Sequence, residues 1–144
     1  MNILFHAIIN KGVKMKDIKE QISTIIASNK EKDNLGHIDI HKTRELLIDV
    51  GAILLDVRPP AKVEGENAQE AGIENAYYTP YPEFANYLDT LPDDKTTPIV
   101  VACVKGWFAN RVKGYLEMME YMNVYVLDTN IVDLIEVHYA HTKK

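Results

Sequence analysis

The chain has very little cysteine: Cys103 is the single one in 144 residues. One cysteine excludes an intramolecular disulfide framework and the paired-cysteine motifs of zinc and thiol redox sites. It also fits a reducing compartment, so we expect a cytoplasmic protein. The 5 histidines are scattered without the spacing of a metal site. We therefore expect neither a metal nor a cofactor.

The sequence also lacks an excess of basic residues, since 16 Lys and Arg face 21 Asp and Glu and give a formal charge of -5. Nucleic-acid binders neutralise phosphates with a basic stripe, and none is visible, so we expect no nucleic-acid partner. Long apolar runs are missing as well. Residues 1–10 are apolar but short, with neither a basic start nor a cleavage pattern, and predict no signal peptide and no membrane partner.

The amino-terminal part of the sequence predicts an extension ahead of a single domain. Met15 opens a stretch that is more typical of a protein start, so residues 1–14 are interpreted as a start-site artefact or a packing arm. Four isoleucines then recur on one face of an amphipathic helix: Ile18, Ile22, Ile25 and Ile26. A polar, turn-rich linker follows. We predict an extension over 1–35, whose helix covers a flank of the domain or mediates homo-oligomerisation, and one domain over 36–144.

Beyond the linker, short apolar runs alternate with helical patterns, which is typical of βαβ units. The predicted strands are 38–40, 52–57, 76–78, 99–102 and 124–127. The predicted helices are 43–50, 81–90, 131–138 and one whose inward face carries Phe108, Val112, Tyr115, Leu116 and Met119. We therefore predict an α/β fold of three layers, with a mainly parallel central sheet of about five strands flanked by helices.

Cys103 lies between an apolar strand and a helical pattern, where an enzyme would keep a reactive sulfur. The first turn of a helix favours an anion, and the thiolate is the nucleophilic form of cysteine. Residues 104–116 include Lys105, Arg111 and Lys113 and no acidic residue, although the whole chain is acidic. A small buried hydrophobe is the alternative interpretation, but the glycine-containing turn after Cys103 favours function.

Polar residues also end a second predicted strand, at Asp56 and Arg58. The crevice of an open α/β sheet lies at the carboxyl ends of its strands, so we expect both residues on the same side as the Cys103 loop. Asp56 is interpreted as a structural carboxylate that accepts loop N–H bonds. For Arg58 and Lys105, ion pairing or solvation and anion binding remain equally open.

Several segments occur in an order known from one family: 51–58, 72–80, 91–95 before the strand that leads to Cys103, and a cys-x-x-gly loop followed by 123–127. Over roughly residues 38–134 the chain resembles the single-domain rhodanese-like sulfurtransferases. The resemblance implies that Cys103 takes a sulfane sulfur from thiosulfate, a polysulfide or a protein persulfide. It would hold that sulfur as a persulfide and pass it to a thiophilic acceptor such as cyanide or a thiol.

The loop after Cys103 is the predicted binding site for the persulfide. Its backbone N–H groups would cradle the anion, from Val104, Lys105, Gly106, Trp107, Phe108 and Ala109. Gly106 lets the backbone curl around the sulfur, and Lys105 lies where some family members place a cation for the donor. One of Trp107 and Phe108 is expected in the core, while together they could form an apolar entrance to the site.

The sequence departs from the family pattern at four places. Phe108 and Ala109 supply no side-chain donor, Lys62 replaces an acidic residue, Gly72 replaces a histidine, and Thr129-Asn130 replaces a glycine pair. The missing loop donors favour an alternative, a non-catalytic rhodanese-like interaction or regulatory module.

A phosphatase or arsenate reductase is the third interpretation, because related families share the fold. Such enzymes need an arginine at 109 to grip a tetrahedral anion. Position 109 is alanine, and Arg111 is expected to point elsewhere. We therefore discount this class.

Overall fold

The structure, a computed structural model, describes residues 15–142, so the predicted packing arm over 1–14 lies outside the described residues. Its helices are α1 (Met15–Glu31), α2 (Ile40–Asp49), α3 (Trp107–Met118) and α4 (Ile131–Thr142). Its strands are β1 (His37–Ile38), β2 (Ile53–Asp56), β3 (Ala76–Tyr78), β4 (Ile99–Ala102) and β5 (Val124–Leu127). Short 3-10 segments cover Asp33–Gly36, Pro60–Lys62 and Tyr81–Thr90.

The five strands form one sheet in the order β1-β5-β4-β2-β3, and every pair is parallel. This confirms the predicted α/β fold and makes the sheet wholly parallel. After β2 the chain moves outward to β3, whereas after β4 it moves the other way to β5. Strand order therefore reverses between β2 and β4, and a crevice opens at the carboxyl ends of such neighbouring strands.

The sheet is covered on both faces, so its central strands are apolar at nearly every position. All four residues of β2 and all four of β4 are buried. Alternate residues contribute to opposite layers: Ile53, Leu55, Ile99 and Val101 pack towards α3, while Leu54, Val100 and Ala102 pack in the other cluster with Leu134. Cys103 belongs to the α3 side. Strand periodicity thus fixes the direction of its side chain.

Four predicted elements differ from the structure by more than one residue, and one of them is the helix predicted over 43–50, which spans Ile40–Asp49. Residues 38–40 are not one strand, because the Asp39 side chain accepts a hydrogen bond from Lys42 N at 2.7 Å and caps α2, which begins at Ile40. Residues 81–90 form 3-10 turns rather than an α-helix, with a kink at Glu83. The closing helix runs on to Thr142 rather than ending at His138.

Tyr115 is not on the inward face of α3, as predicted, but is 46% exposed. Its hydroxyl lies 2.8 Å from the Tyr81 hydroxyl. The Tyr115 ring therefore lies along the surface, where its hydroxyl group makes this hydrogen bond. This hydrogen bond raises the pKa of Tyr115 above the usual value for a phenol.

Helix α1 packs against α3 largely through polar contacts. Gln21 Nε2 donates to the Glu117 carbonyl at 2.9 Å, and Lys113 Nζ donates to Asn29 Oδ1 at 2.7 Å and to Glu117 Oε2 at 2.9 Å. Ile22 is 45% exposed, so only part of the apolar face predicted for this helix is covered. The helix covers a flank of the domain, and its role in self-association stays a prediction.

The segment predicted as a linker is tied to the domain by Lys32. Its ammonium group donates to the Met122 carbonyl at 2.8 Å and to the Val124 carbonyl at 3.3 Å. Burial, with the neighbouring charge of Lys113, lowers the pKa of Lys32. The turn between α1 and β1 is therefore held to the start of β5.

Replacing Lys113 with methionine will destabilise the fold by about 3–5 kcal/mol, because it leaves a buried carboxylate without its partner. Lys113 is 5% and Glu117 3% exposed. Urea unfolding measures the loss, and the double variant Lys113→Met/Glu117→Leu should recover most of it. Lys42→Met, which breaks an exposed pair, is the matched control and should cost under about 1 kcal/mol. Equal losses for the two single variants would contradict the prediction.

Candidate active site

Cys103 directly follows β4 and precedes the turn that starts α3. Its side chain is only 2% exposed, and its Sγ accepts a hydrogen bond from Gly106 N at 3.1 Å. Gly106 has φ of +86°, in the left-handed region that favours glycine. A Cβ on Gly106 would also lie 3.3 Å from Asn110 Nδ2. The loop therefore curls around the sulfur because position 106 has no side chain.

The turn places the sulfur before the first helical turn of α3. Trp107, Phe108 and Ala109 form the start of this helix, where N–H groups have no intrahelical acceptor. The carbonyl of Cys103 accepts from Ile131 N at 3.1 Å, which ties the loop to the start of α4. Partial positive charge of the helix terminus therefore lies close to the thiol.

Asp56 and Arg58 form a buried, two-point ion pair at the end of β2. Arg58 Nε donates to Oδ1 at 3.0 Å and Nη2 donates to Oδ2 at 2.7 Å, and both side chains are 0% exposed. Asp56 also accepts from Ala68 N at 3.0 Å, as expected of a carboxylate that holds a loop. Tyr78 donates its hydroxyl proton to the Arg58 carbonyl at 2.9 Å. Burial, reinforced by the Asp56 carboxylate, raises the pKa of Tyr78, so this phenol stays a donor at neutral pH.

A pocket of about 110 Å³ joins the ends of β2 and β4, at the reversal of strand order. It is lined by Arg58, Pro59, Lys62, Cys103, Val104, Lys105, Trp107 and Phe108. The structure thus brings Cys103 and Arg58 to one pocket with four of the predicted loop residues, as expected from the parallel topology. Asp56, Gly106 and Ala109 do not line it, and Ala109 is buried in the core. An apolar cavity of about 150 Å³ is known to hold one benzene molecule. This pocket therefore suits a group of a few heavy atoms.

The pocket is electrostatically positive. Lys62 and Lys105 line it, and the described residues that line it include no carboxylate. Arg58 is compensated by Asp56, but its Nη1 is buried without a hydrogen-bond partner within the described structure. A buried donor without an acceptor costs free energy unless a ligand supplies one.

Lys62 is a lining residue that sequence reasoning noted only as a departure from the family pattern. The 3-10 turn Pro60–Lys62 carries its side chain back towards the Cys103 loop. The sequence feature that indicates this turn is the pair Pro59-Pro60, because proline ends β2 and favours a tight turn after it.

The two aromatic residues of the loop point in different directions. Phe108 is partly buried and packs against the core and against Tyr81, with ring centroids 4.8 Å apart. Trp107 is 66% exposed, with Lys105 Nζ 5.8 Å from its ring centroid. Phe108 is thus the inner residue of the pair, at the edge of the core, and both residues border the pocket.

Two of the predicted loop cations do not line the pocket. Lys113 is turned towards α1 and is neutralised by Glu117, so the expected contribution of Lys113 to the field at the sulfur is wrong. Helical spacing places residues 113 and 117 on one face, one turn apart. Arg111 lies outside on the exposed side of α3, where Nη1 donates to the Trp107 carbonyl at 2.9 Å. It does not replace the anion-gripping arginine of a phosphatase loop.

Asn130, which departs from the family's glycine pair, has a structural role. Its side chain accepts from Val132 N at 3.0 Å at the start of α4. Together with Thr129 it lines a second crevice of about 260 Å³ on the other side of the Cys103 loop. A helix cap thus occupies the place where the family pattern has glycine.

In residues 15–142 no helix is long and apolar enough to cross a membrane, and no cluster of three or more His, Cys, Asp or Glu side chains could hold a metal ion.

Comparison with known proteins places the sequence in a family. The chain is 27% identical over 125 residues to a tRNA uridine(34) hydroxylase of Pelagibacter ubique (strain HTCC1062). That match covers 86% of this chain and 39% of the relative, so the chain spans well under half of that protein.

A sequence model of the rhodanese-like domain matches residues 39–135, from the cap of α2 to the middle of α4. This range includes all the lining residues of the Cys103 pocket. The match covers well over half of the chain and agrees with the parallel sheet and the cysteine turn. The chain belongs to the rhodanese-like domain family.

Proposed function

We propose that this protein is a sulfurtransferase that carries sulfane sulfur as a persulfide on Cys103. The observation that carries the proposal is the contact of Gly106 N with the Sγ of Cys103, a cysteine that lines a small pocket together with Lys62 and Lys105. The N–H group and the start of α3 would stabilise an anionic sulfur at this position. No general base is required if the thiol is held as thiolate.

The first step is attack of the Cys103 thiolate on the outer sulfur of the donor. With thiosulfate, an Sγ–S bond forms, the S–S bond of the donor breaks, and its electron pair leaves with sulfite. The persulfide keeps the negative charge next to the Gly106 N–H group. Lys62 and Lys105, which line the pocket, balance the charge of the donor.

The second step returns the enzyme to its starting state. A cyanide ion or an acceptor thiolate attacks the outer sulfur of the persulfide. The S–S bond breaks, and its electron pair returns to Sγ as the thiolate. Thiocyanate or a new persulfide leaves, and neither step needs an external oxidant or reductant.

The relative from Pelagibacter ubique is named for hydroxylation of a tRNA uridine. Binding of tRNA depends on neutralising phosphates with basic side chains, whereas this chain has a formal charge of -5. The pocket also suits a few heavy atoms rather than a nucleotide base with its ribose. We therefore propose sulfur transfer for this chain.

Sulfur loading of the full chain tests the proposal. The protein is exposed to thiosulfate or to a polysulfide, freed of excess donor and treated with cyanide, and thiocyanate is measured. We expect about one cyanide-labile sulfur per chain, and none when the thiol is first blocked by alkylation. Absence of label with every donor would favour the non-catalytic interaction module.

A further inference from the structure

We propose that the exposed side of α3 beside the Cys103 pocket is a docking surface for a protein that delivers its sulfur as a cysteine persulfide from an acidic surface. This inference rests on the proposed sulfurtransferase function and names its donor class. We call this surface the α3 face and define it by Trp107, Arg111, Tyr115 and Met118.

The α3 face is a continuous row on one side of the helix, because its members are four, four and three residues apart. Trp107 is 66%, Tyr115 46% and Met118 44% exposed. Scattered exposed apolar residues are ordinary, but a contiguous set of large ones marks a contact site. Trp, Tyr, Met and Arg are also the residue types enriched in protein interfaces.

Two side chains of the α3 face, Arg111 and Tyr115, are held in place before any partner arrives. Arg111 Nη1 donates to the Trp107 carbonyl at 2.9 Å, and the Tyr115 and Tyr81 hydroxyls lie 2.8 Å apart. Ordered side chains lose less entropy on association. These two side chains of the face are therefore preorganised.

The charge of the α3 face is opposite to that of the whole chain. Lys105 and Arg111 are exposed, whereas Glu117, the one acidic residue in the sequence of α3, is buried and paired with Lys113. The complete sequence has a formal charge of -5. A local basic and aromatic surface on an acidic protein steers an acidic partner to this side and disfavours basic ones.

The position of the face suits delivery of sulfur from a protein. Trp107 belongs both to the α3 face and to the lining of the Cys103 pocket, and the cysteine is 2% exposed. A pocket of about 110 Å³ admits the narrow end of a persulfide side chain but not the protein that bears it. The rest of the donor must lie outside the pocket, and the α3 face borders its entrance.

The transfer is balanced without another reagent. The Cys103 thiolate attacks the outer sulfur of the donor persulfide and forms an Sγ–S bond. The S–S bond of the donor breaks, and its electron pair stays on the donor cysteine as thiolate. The donor therefore leaves as a protein thiol, ready to be recharged by the reaction that supplies its sulfur.

Two synthetic peptides provide the test, each with one persulfidated cysteine, one flanked by Asp and Glu and the other by Lys. For the native full chain at low salt, we expect the acidic peptide to load Cys103 about tenfold faster than the basic one. Arg111→Glu should abolish this preference. Lys42→Glu, which makes the same charge change on α2 in the opposite layer, should keep it. Thiosulfate should load the three proteins at similar rates.

The outcomes separate this inference from the proposed function. Loading by thiosulfate with equal rates for the two peptides would overturn the docking surface alone. No loading from any donor would overturn both. Light scattering is the second measurement: a native dimer that Arg111→Glu converts to a monomer would assign the α3 face to a second copy of this chain and overturn the proposed partner.

Discussion

The Cys103→Ser variant will retain no cyanide-labile sulfur after exposure to thiosulfate or polysulfide, whereas the native chain will retain about one per chain. A serine hydroxyl does not supply the thiolate that attacks the donor. The variant should still fold. Serine is close in size, and its Oγ can accept the Gly106 N–H bond that Sγ accepts in the native loop. Burial of the hydroxyl should cost no more than about 1–3 kcal/mol.

Thiocyanate release measures the label, and urea unfolding with circular dichroism confirms that the variant is native-like. Cys103 is the single cysteine of the sequence, so any label on the serine variant cannot sit on another thiol. Retained sulfur in that variant would mean adsorption elsewhere and would refute the persulfide on Cys103. A folded, unlabelled serine variant beside a labelled native chain would support it directly.

The strands were predictable because burial on both faces leaves a strong local signal. The sequence predictions for the inner strands 99–102 and 124–127 agree with the structure. The edge strand at 76–78 also agrees, although Tyr77 is exposed there. The failure at 38–40 has a local cause, since Ile38-Asp39-Ile40 alternates like a strand while the Asp39 carboxylate caps α2. The same three residues fit both a strand pattern and a helix cap. They form the start of the helix because its inner face, with Thr43 and Leu47, is buried in the domain.

The candidate site was predictable as far as the parallel topology determines it. Residues that end β2 and β4 must share one edge of the sheet, and Arg58 and Cys103 do line one pocket. Electrostatics at longer range was not predictable from the sequence. The charge of Lys113 is cancelled by Glu117 and by the contact with α1, which depends on how two helices pack. Lys62 reaches the pocket through a turn whose direction the sequence does not specify.

Asp56→Ala will lower the free energy of unfolding by about 3–5 kcal/mol, a large part of the stability of a domain of this size. The variant leaves the Arg58 guanidinium without its partner, in a place where its side chain is 0% exposed. It also removes the acceptor of Ala68 N, which anchors the loop between β2 and β3. Urea unfolding measures the effect, and Asp49→Ala, at the exposed end of α2, is the control, with an expected change within about 0.5 kcal/mol.

The double variant Asp56→Leu/Arg58→Met separates stability from sulfur chemistry. Replacing both members of a buried ion pair with apolar residues is often close to neutral, since no charge is left without a partner. We therefore expect the double variant to be clearly more stable than Asp56→Ala, but slower to take sulfur from thiosulfate, because the substitution of Arg58 alters the lining of the pocket beside Cys103. Native rates of loading in this variant would restrict Arg58 to holding the loop. A double variant as unstable as Asp56→Ala would show that the Ala68 contact, rather than the unpaired charge, dominates the loss.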